Sequence, residues 1–434
     1  MESSIEPNRR ADRIILKNAM YYSDQHDFRL ADIVISDNKI EKICLPNSID
    51  GGNVMESTNL IILPGLINAH LHPSKELYGG LQAFSSISDV LDAVHRNNHL
   101  ETEEIQGLSS LYSILNSLRQ GITTLGIFTS RAEVDAEQAK KAGIRAVIHF
   151  SQNDQWLGKE SKPSSSSLED VIKRYSDCVH KYESDLIKVH PATASELSAT
   201  PELMKELHKI AYQENKKFVM HVCEGKSQVE QCASHYGESG IQVLEKLNLL
   251  DSSTLLVHAS ALSDEDIGVL SGKKLNFIHC PVSNSFTGAG RFPFKALLHN
   301  QIGLGTDAAM VNPFHKLAFD AAFSLYFHGE SNLDEKVNVI DLVDSITKTG
   351  ASALGLDYVG SIQEGMFADI CFFERGDVMV ESQDPSLLFL DTILNHNPAH
   401  VMINGEFVVL NGKFLHCDFD LIKNHFLKNK KFER

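Results

Sequence analysis

Eight short apolar runs punctuate the middle of the chain, and longer segments of a different rhythm separate them. The runs are IILPGLINAHLH, GITTLGIFTS, IRAVIHFSQND, DLIKVHPAT, KKFVMHVCE, STLLVHAS, LNFIHCPVSN and QIGLGTDAA. Intervening segments such as PELMKELHKIAYQENK and GIQVLEKLNLL carry apolar residues three and four apart, the spacing of amphipathic helices. Eight strand–helix units in succession predict an α/β fold, a parallel (β/α)8 TIM barrel.

The chain ends read differently. DRIILKNAMYY and ADIVISDNKIEKIC near the start, and ADICFFE and HVMINGEFVVLNGKFL near the end, are strand-like runs broken by turn residues. The last holds Asn-Gly twice, a strong hairpin signal. Residues 1–60 and 361–434 are therefore expected to build one small composite β-sandwich domain, with the barrel spanning 61–360. A chain of 434 residues accommodates both.

Forty basic residues stand against 57 acidic ones, a net charge of −17. No basic stripe offsets that acidity, which argues against nucleic acid as a partner and for a small neutral or cationic molecule. The start, MESSIEPNRR, has no apolar core of a signal peptide, and no apolar run reaches the 18 residues of a membrane span. The seven cysteines are scattered, odd in number and form no CxxC pair. A reducing, cytoplasmic setting is expected, and a cysteine-ligated zinc site is not.

Polar residues collect where the strands end, the active face of such a barrel. The first run ends on His70 and His72, which alternation puts on one face. The fifth ends on His221, with Glu224 three residues on; the sixth ends on His258, the seventh on His279 and the eighth on Asp307. A single histidine after an apolar run is ordinarily a satisfied buried residue. Five strands ending alike are hard to reconcile with packing alone, because buried polar groups need partners. A shared cation supplies one. Three imidazoles and a carboxylate suit zinc, or iron or manganese, so His70, His72, His221 and Asp307 are the candidate ligands. A water at such a cation has a pKa near neutrality. Glu224 is then placed to move protons between water and substrate, and His258 to orient that water.

In this order LPGLINAHLH, HVCE, LVHAS, HCPVSN and GLGTD resemble the amidohydrolase superfamily. The likeness is to its aminohydrolase branch of guanine deaminases, adenosylhomocysteine/methylthioadenosine deaminases and triazine hydrolases. GSIQEGMFADI and VMINGEFVVLNGKF look like that family's terminal β-domain, so the resemblance spans almost the whole chain. It implies one divalent metal per chain on His70, His72, His221 and Asp307, with Glu224 as proton shuttle and His258 beside the water. Asp307 doubles as a base, and Asn284 braces the loop after strand seven. It also implies a homodimer or higher homo-oligomer.

Around the metal motifs the sequence departs from the family. Gly79 stands where relatives often have arginine, no ribose-gripping glutamate is recognisable in 85–100, VHPATASELSAT replaces the usual strand-four motif, and AAMVN after GTD keeps only Asn312. The same chemistry with a different pocket is expected. Pocket candidates are His190 and His279, at the ends of strands four and seven, and Gln82, Trp156 and Arg291 on mouth loops. Trp156 could stack on a planar ring or pack in its loop; Arg291 could meet a carboxylate or ring oxygen, or be solvated. His95, His99, His235, His315 and His328 read as surface or structural.

The leading expectation is hydrolytic deamination of a nitrogen heterocycle: a purine, pterin, pyrimidine or triazine. One alternative is a binuclear cyclic-amide hydrolase using a carbamylated Lys188; another keeps the site but expels chloride or an imine nitrogen.

Overall fold

In a computed structural model of the chain, residues 13–79, 86–157, 166–329, 337–376 and 384–430 are described. Five strands open the chain: β1 (Arg13–Tyr22), β2 (Phe28–Ser36), β3 (Lys39–Cys44), β4 (Asn53–Glu56) and β5 (Leu60–Pro64). Eight follow, one for each apolar run: β6 (Leu66–Leu71), β7 (Ile122–Thr129), β8 (Arg145–Ser151), β9 (Ile187–Ser195), β10 (Phe218–Val222), β11 (Thr254–His258), β12 (Asn276–His279) and β13 (Gln301–Leu304). The last are β14 (Ile370–Glu374), β15 (His400–Ile403), β16 (Glu406–Leu410) and β17 (Lys413–Phe414).

Strands β6 to β13 pair in sequence order, each parallel to the next. A parallel bridge between Leu71 and Asp307 brings the last strand's end back to the first, so the sheet is a nearly closed barrel. Helices fill the crossovers, and hydroxyl side chains start them. Thr102, Ser167, Thr200, Ser239 and Ser263 each accept an N–H from the first turn that follows, satisfying donors that a helix start leaves unpaired. On β10, Phe218, Met220 and Val222 join the large apolar cluster shared with the surrounding helices. Val219 joins Val147, Ala192, Leu255 and Ile278 of neighbouring strands. Alternation puts His221 on the Val219 face.

The run IILPGLINAHLH, expected as one strand, is two. β5 belongs to the sheet of the chain ends, paired with β1 and β14, and β6 opens the barrel. Gly65 divides them. A Cβ there would lie 2.1 Å from Thr123 Oγ1, so only glycine lets the chain pass from one sheet to the other. The chain-end strands form one sheet in the order β17-β16-β15-β14-β5-β1-β2-β3, with β4 on β1. Both Asn-Gly pairs turn hairpins: Asn404 and Gly405 (φ 53° and 76°) join β15 to β16, and Asn411 and Gly412 (50° and 70°) join β16 to β17. Among the described residues no helix is long and apolar enough to cross a membrane.

Candidate active site at the barrel mouth

His70 is the next-to-last residue of β6 and is fully buried. Its Nε2 stands 3.1 Å from His72 Nε2, 3.3 Å from His221 Nε2 and 3.6 Å from Asp307 Oδ1. His72 Nε2 lies 3.4 Å from the same Asp307 oxygen. Four ligand atoms at about 2.0–2.2 Å around one tetrahedral cation would be about 3.4 Å apart. These four contacts have that spacing; the ligand atoms of His70, His72 and His221 all lie within 4.8 Å of one another, and Asp307 joins them through His70 and His72.

The hydrogen bonds behind these atoms decide which lone pairs face inward. His221 Nδ1 is 2.7 Å from the carbonyl of Ala194, which only accepts; Nδ1 therefore carries the proton and Nε2 presents its lone pair. Burial pushes His70 down to about 4 and His221 well below the ordinary imidazole range, so both are neutral at physiological pH. For Asp307, burial acts upward, but the histidines packed around it, His70, His72 and His258, outweigh it and hold the carboxyl well below its usual range. Its other oxygen accepts from Ser283 Oγ at 2.6 Å. Uncharged imidazoles beside an anionic carboxylate are the protonation states that a divalent metal requires.

The barrel closes at this point. Asp307 N–H donates to His70 O (3.0 Å), and Asn68 and Thr306 exchange two hydrogen bonds (2.7 and 3.0 Å). Gly305 lets the two strands approach, since a Cβ there would meet His70 Cβ at 2.5 Å. Cys223, His258, Ala259 and Asp307, all just at or past strand ends, have φ of 48°, 71°, 44° and 60°. Each such backbone costs about 1–3 kcal/mol and persists only where its surroundings hold it.

Glu224 and His258 stand beside the cluster. His258 Nε2 is 3.4 Å from Glu224 Oε1, and its Nδ1 donates to Asn284 Oδ1 at 2.8 Å. His258, His70 and Asp307 form a second group of potential ligand atoms, which shares only His70 with the group of His70, His72 and His221. Phe128 lies against His70, His72 and His221, with ring centres 5.7, 5.5 and 4.3 Å away.

The structure thus gathers His70, His72, His221, Glu224, His258 and Asp307. The expected pocket residues fare differently. His190 does not end its strand: β9 runs on to Ser195, and His190 is its fourth residue, level with His149 and close to Lys217 and Gly355. Burial lowers it to about 3. It faces the barrel interior, toward the end opposite the mouth. His279 is buried, 3.0 Å from His328 and stacked on Phe292 at 4.9 Å. Arg291 is exposed, its guanidinium 5.8 Å from the Phe327 ring centre. Trp156 is half-buried in the loop after β8, and Gln82 lies outside the described residues. Lys188 is the second residue of β9, seven residues before the Ser195 that pairs with His221, or about 23 Å along the strand.

Sequence reasoning missed Ser283, Ala194, Phe128 and the Asn284 bond to His258. Only the first and last had a local signal, as adjacent residues of HCPVSN in the first turn of the helix Pro281–Thr287.

A 5-methylthioadenosine/S-adenosylhomocysteine deaminase of Pyrococcus furiosus is 28% identical over 96% of this chain and 99% of its own. A 5'-deoxyadenosine deaminase of Methanosphaera stadtmanae is 24% identical over 93% and 94%. Among solved structures, a zinc-bound atrazine chlorohydrolase of Arthrobacter aurescens superposes with a TM-score of 0.86 at 20% identity, covering 96% of this chain and all of that one. A guanine deaminase of C. acetobutylicum does so at 0.77 and 21%, over 91% and 99%. These two likenesses are likenesses of fold. The model of the amidohydrolase family matches residues 61–408, most of the chain and all of the barrel, and the chain belongs to that family.

Proposed function

We propose that this chain is a metal-dependent hydrolytic deaminase of a nitrogen heterocycle, and that the ring is a 6-aminopurine carried by an adenosine derivative. The observation that carries the reading is the cluster of four donor residues, in which His70 Nε2 lies 3.1–3.6 Å from His72, His221 and Asp307 and His72 lies 3.4 Å from Asp307, with the Glu224–His258 pair beside it. The deaminase relatives support the choice of ring.

His70, His72, His221 and Asp307 would hold one divalent cation, zinc in this reading. Bound there, it would supply Lewis acidity that makes water a nucleophile near neutral pH. Glu224 Oε1 takes the proton that the attacking water loses and delivers it to a ring nitrogen beside the C–NH2 carbon. It then takes the remaining proton from the added hydroxyl and hands it to the departing amine, so that the C–N bond breaks, a ring carbonyl forms and ammonia leaves. His258, its Nδ1 held by Asn284, directs Nε2 toward Glu224 and orients the water between them. Phe128 keeps bulk solvent from the imidazoles. A cytoplasmic homo-oligomer belongs to the same proposal; the seven free cysteines are in keeping with the compartment.

The test is an ammonia-release screen of metal-replete protein over adenosine derivatives, guanine, pterins, pyrimidines and triazines, with Glu224→Gln as control. Ammonia from an adenosine derivative, abolished in the variant, is expected. Chloride from a chlorinated triazine without ammonia from any amine would overturn the reading. The binuclear alternative needs Lys188 at the metal, and its position some 23 Å along β9 from the level of His221 counts against it.

A further inference from the structure

Glu196 lies in VHPATASELSAT, the strand-four segment that departs from the family's pattern, outside the cluster of His70, His72, His221, Glu224, His258 and Asp307. It follows β9 directly and is fully buried. Its Oε2 accepts from Gln228 Nε2 at 2.9 Å, while Oε1 has no hydrogen-bond partner. Gly240 makes room for that oxygen, since a Cβ there would stand 2.7 Å from it.

Gln228 sits in the first turn of the helix Lys226–Tyr236, and its Oε1 accepts the main-chain N–H of Glu224 at 2.7 Å. A main-chain N–H only donates, so the amide oxygen of Gln228 must face it. The amide nitrogen must then face an acceptor, and Glu196 is that acceptor. The turn so held is strained. Cys223 has φ 48° and Gly225 φ 98°, and a Cβ at Gly225 would press on Ala289 Cα at 3.3 Å. Backbone of this kind relaxes unless its surroundings over-determine it.

We propose that Glu196, acting through Gln228, is a positioning residue for Glu224: the two-bond relay fixes the turn that carries Glu224, so that its carboxylate meets His258. The proposal rests on the reading of Glu224 as proton carrier.

Three variants test it: Gln228→Leu, Glu196→Leu and the conservative Glu196→Gln, which keeps an acceptor oxygen. With 5'-methylthioadenosine as substrate, the two leucine variants are expected to lower kcat about 10- to 100-fold, the scale of a small misplacement of a catalytic group. KM stays within threefold and the metal content per chain is unchanged. Glu196→Gln rescues kcat to within threefold of wild type. A readout that needs no substrate is amide hydrogen exchange over residues 219–228. Exchange at Glu224 accelerates at least tenfold in Gln228→Leu and stays at the wild-type rate in Glu196→Gln. Unchanged exchange in Gln228→Leu overturns the relay, as does a Glu196→Gln variant as impaired as Glu196→Leu. Should Glu196→Leu fail to fold, the other two variants still decide. Glu224→Gln separates the two readings. If it keeps wild-type ammonia release, the role of Glu224 falls; if it is inactive while Gln228→Leu is fully active, the relay alone falls.

Discussion

At Asp307 one carboxylate oxygen faces His70 and His72 and the other accepts from Ser283 Oγ at 2.6 Å. Ser283→Ala removes a hydrogen bond to a charged group, worth about 1.5–3 kcal/mol, and such supporting bonds typically change metal affinity 10- to 100-fold. A weaker affinity in that range is expected in a chelator-competition titration, and the metal-free protein is expected to lose about 1.5–3 kcal/mol of unfolding free energy in urea melts. Glu196 makes a pH prediction. Burial raises it to about 8, above its unfolded value near 4.5, so the folded state binds an extra proton between those values. Stability from this group is full below pH 4.5 and is lost as pH rises through 8. Cys223 and Glu224 on the turn, and Cys232 and Tyr236 on the next helix, share its surroundings. Glu196→Gln should therefore lose less stability than wild type between pH 5 and pH 8; an identical slope in urea melts at the two pH values would contradict it. The six residues of the cluster were legible because each follows an apolar run. Their supports were not: a carbonyl such as that of Ala194 carries no side-chain signal, and Gln228 reads as an ordinary surface position of a helix.

Among the elements, β6 and β7 are held together by a glycine. A Cβ at Gly126 would stand 2.1 Å from the carbonyl oxygen of Ala69, one residue before His70. Main chain cannot yield as a flexible side chain can, so Gly126→Ala must part the strands locally. The expected outcome is a loss of several kcal/mol in denaturant melts, together with weaker metal binding because His70 moves with its neighbour. A stable variant with unchanged metal affinity would mean that β6 shifts without moving His70. The eight strands were readable because fully covered strands are apolar on both faces and cannot hide in a polar background. Two limits of that reading have physical causes. The break at Gly65 falls inside an unbroken apolar run, and only the close approach of Thr123, 58 residues later, requires it. The nine-residue length of β9 displaced His190, because TAS continues the strand without the apolar character that marks the rest.

For the whole molecule, the point of coherence is Asp369, next to β14. Its carbonyl accepts from Gly65, where the chain leaves one sheet for the other, and its Oδ1 accepts from Asn404 N–H in the β15–β16 turn. Both carboxylate oxygens meet Arg145, the first residue of β8, at 2.7 and 3.0 Å. That guanidinium is almost wholly buried, lies over the rings of Phe367 and Tyr358, and donates to Asp185 O. A pair this deep need not outperform apolar residues of the same shape, but removing one partner strands the other's charge, at about 3–5 kcal/mol. Arg145→Met should therefore lower unfolding free energy by that amount in urea. The Arg145→Met/Asp369→Asn double variant should recover part of the loss, since asparagine can still accept from Asn404 without a charge. Arg145 stands at the start of β8, six residues or about 20 Å along the strand from Ser151 at its other end, the end where the imidazoles gather. Metal content and kcat/KM per folded molecule should accordingly be unchanged in both variants. If metal is lost in step with stability, the junction and the site are mechanically one unit, and the division of labour between the barrel's two ends does not hold for this chain.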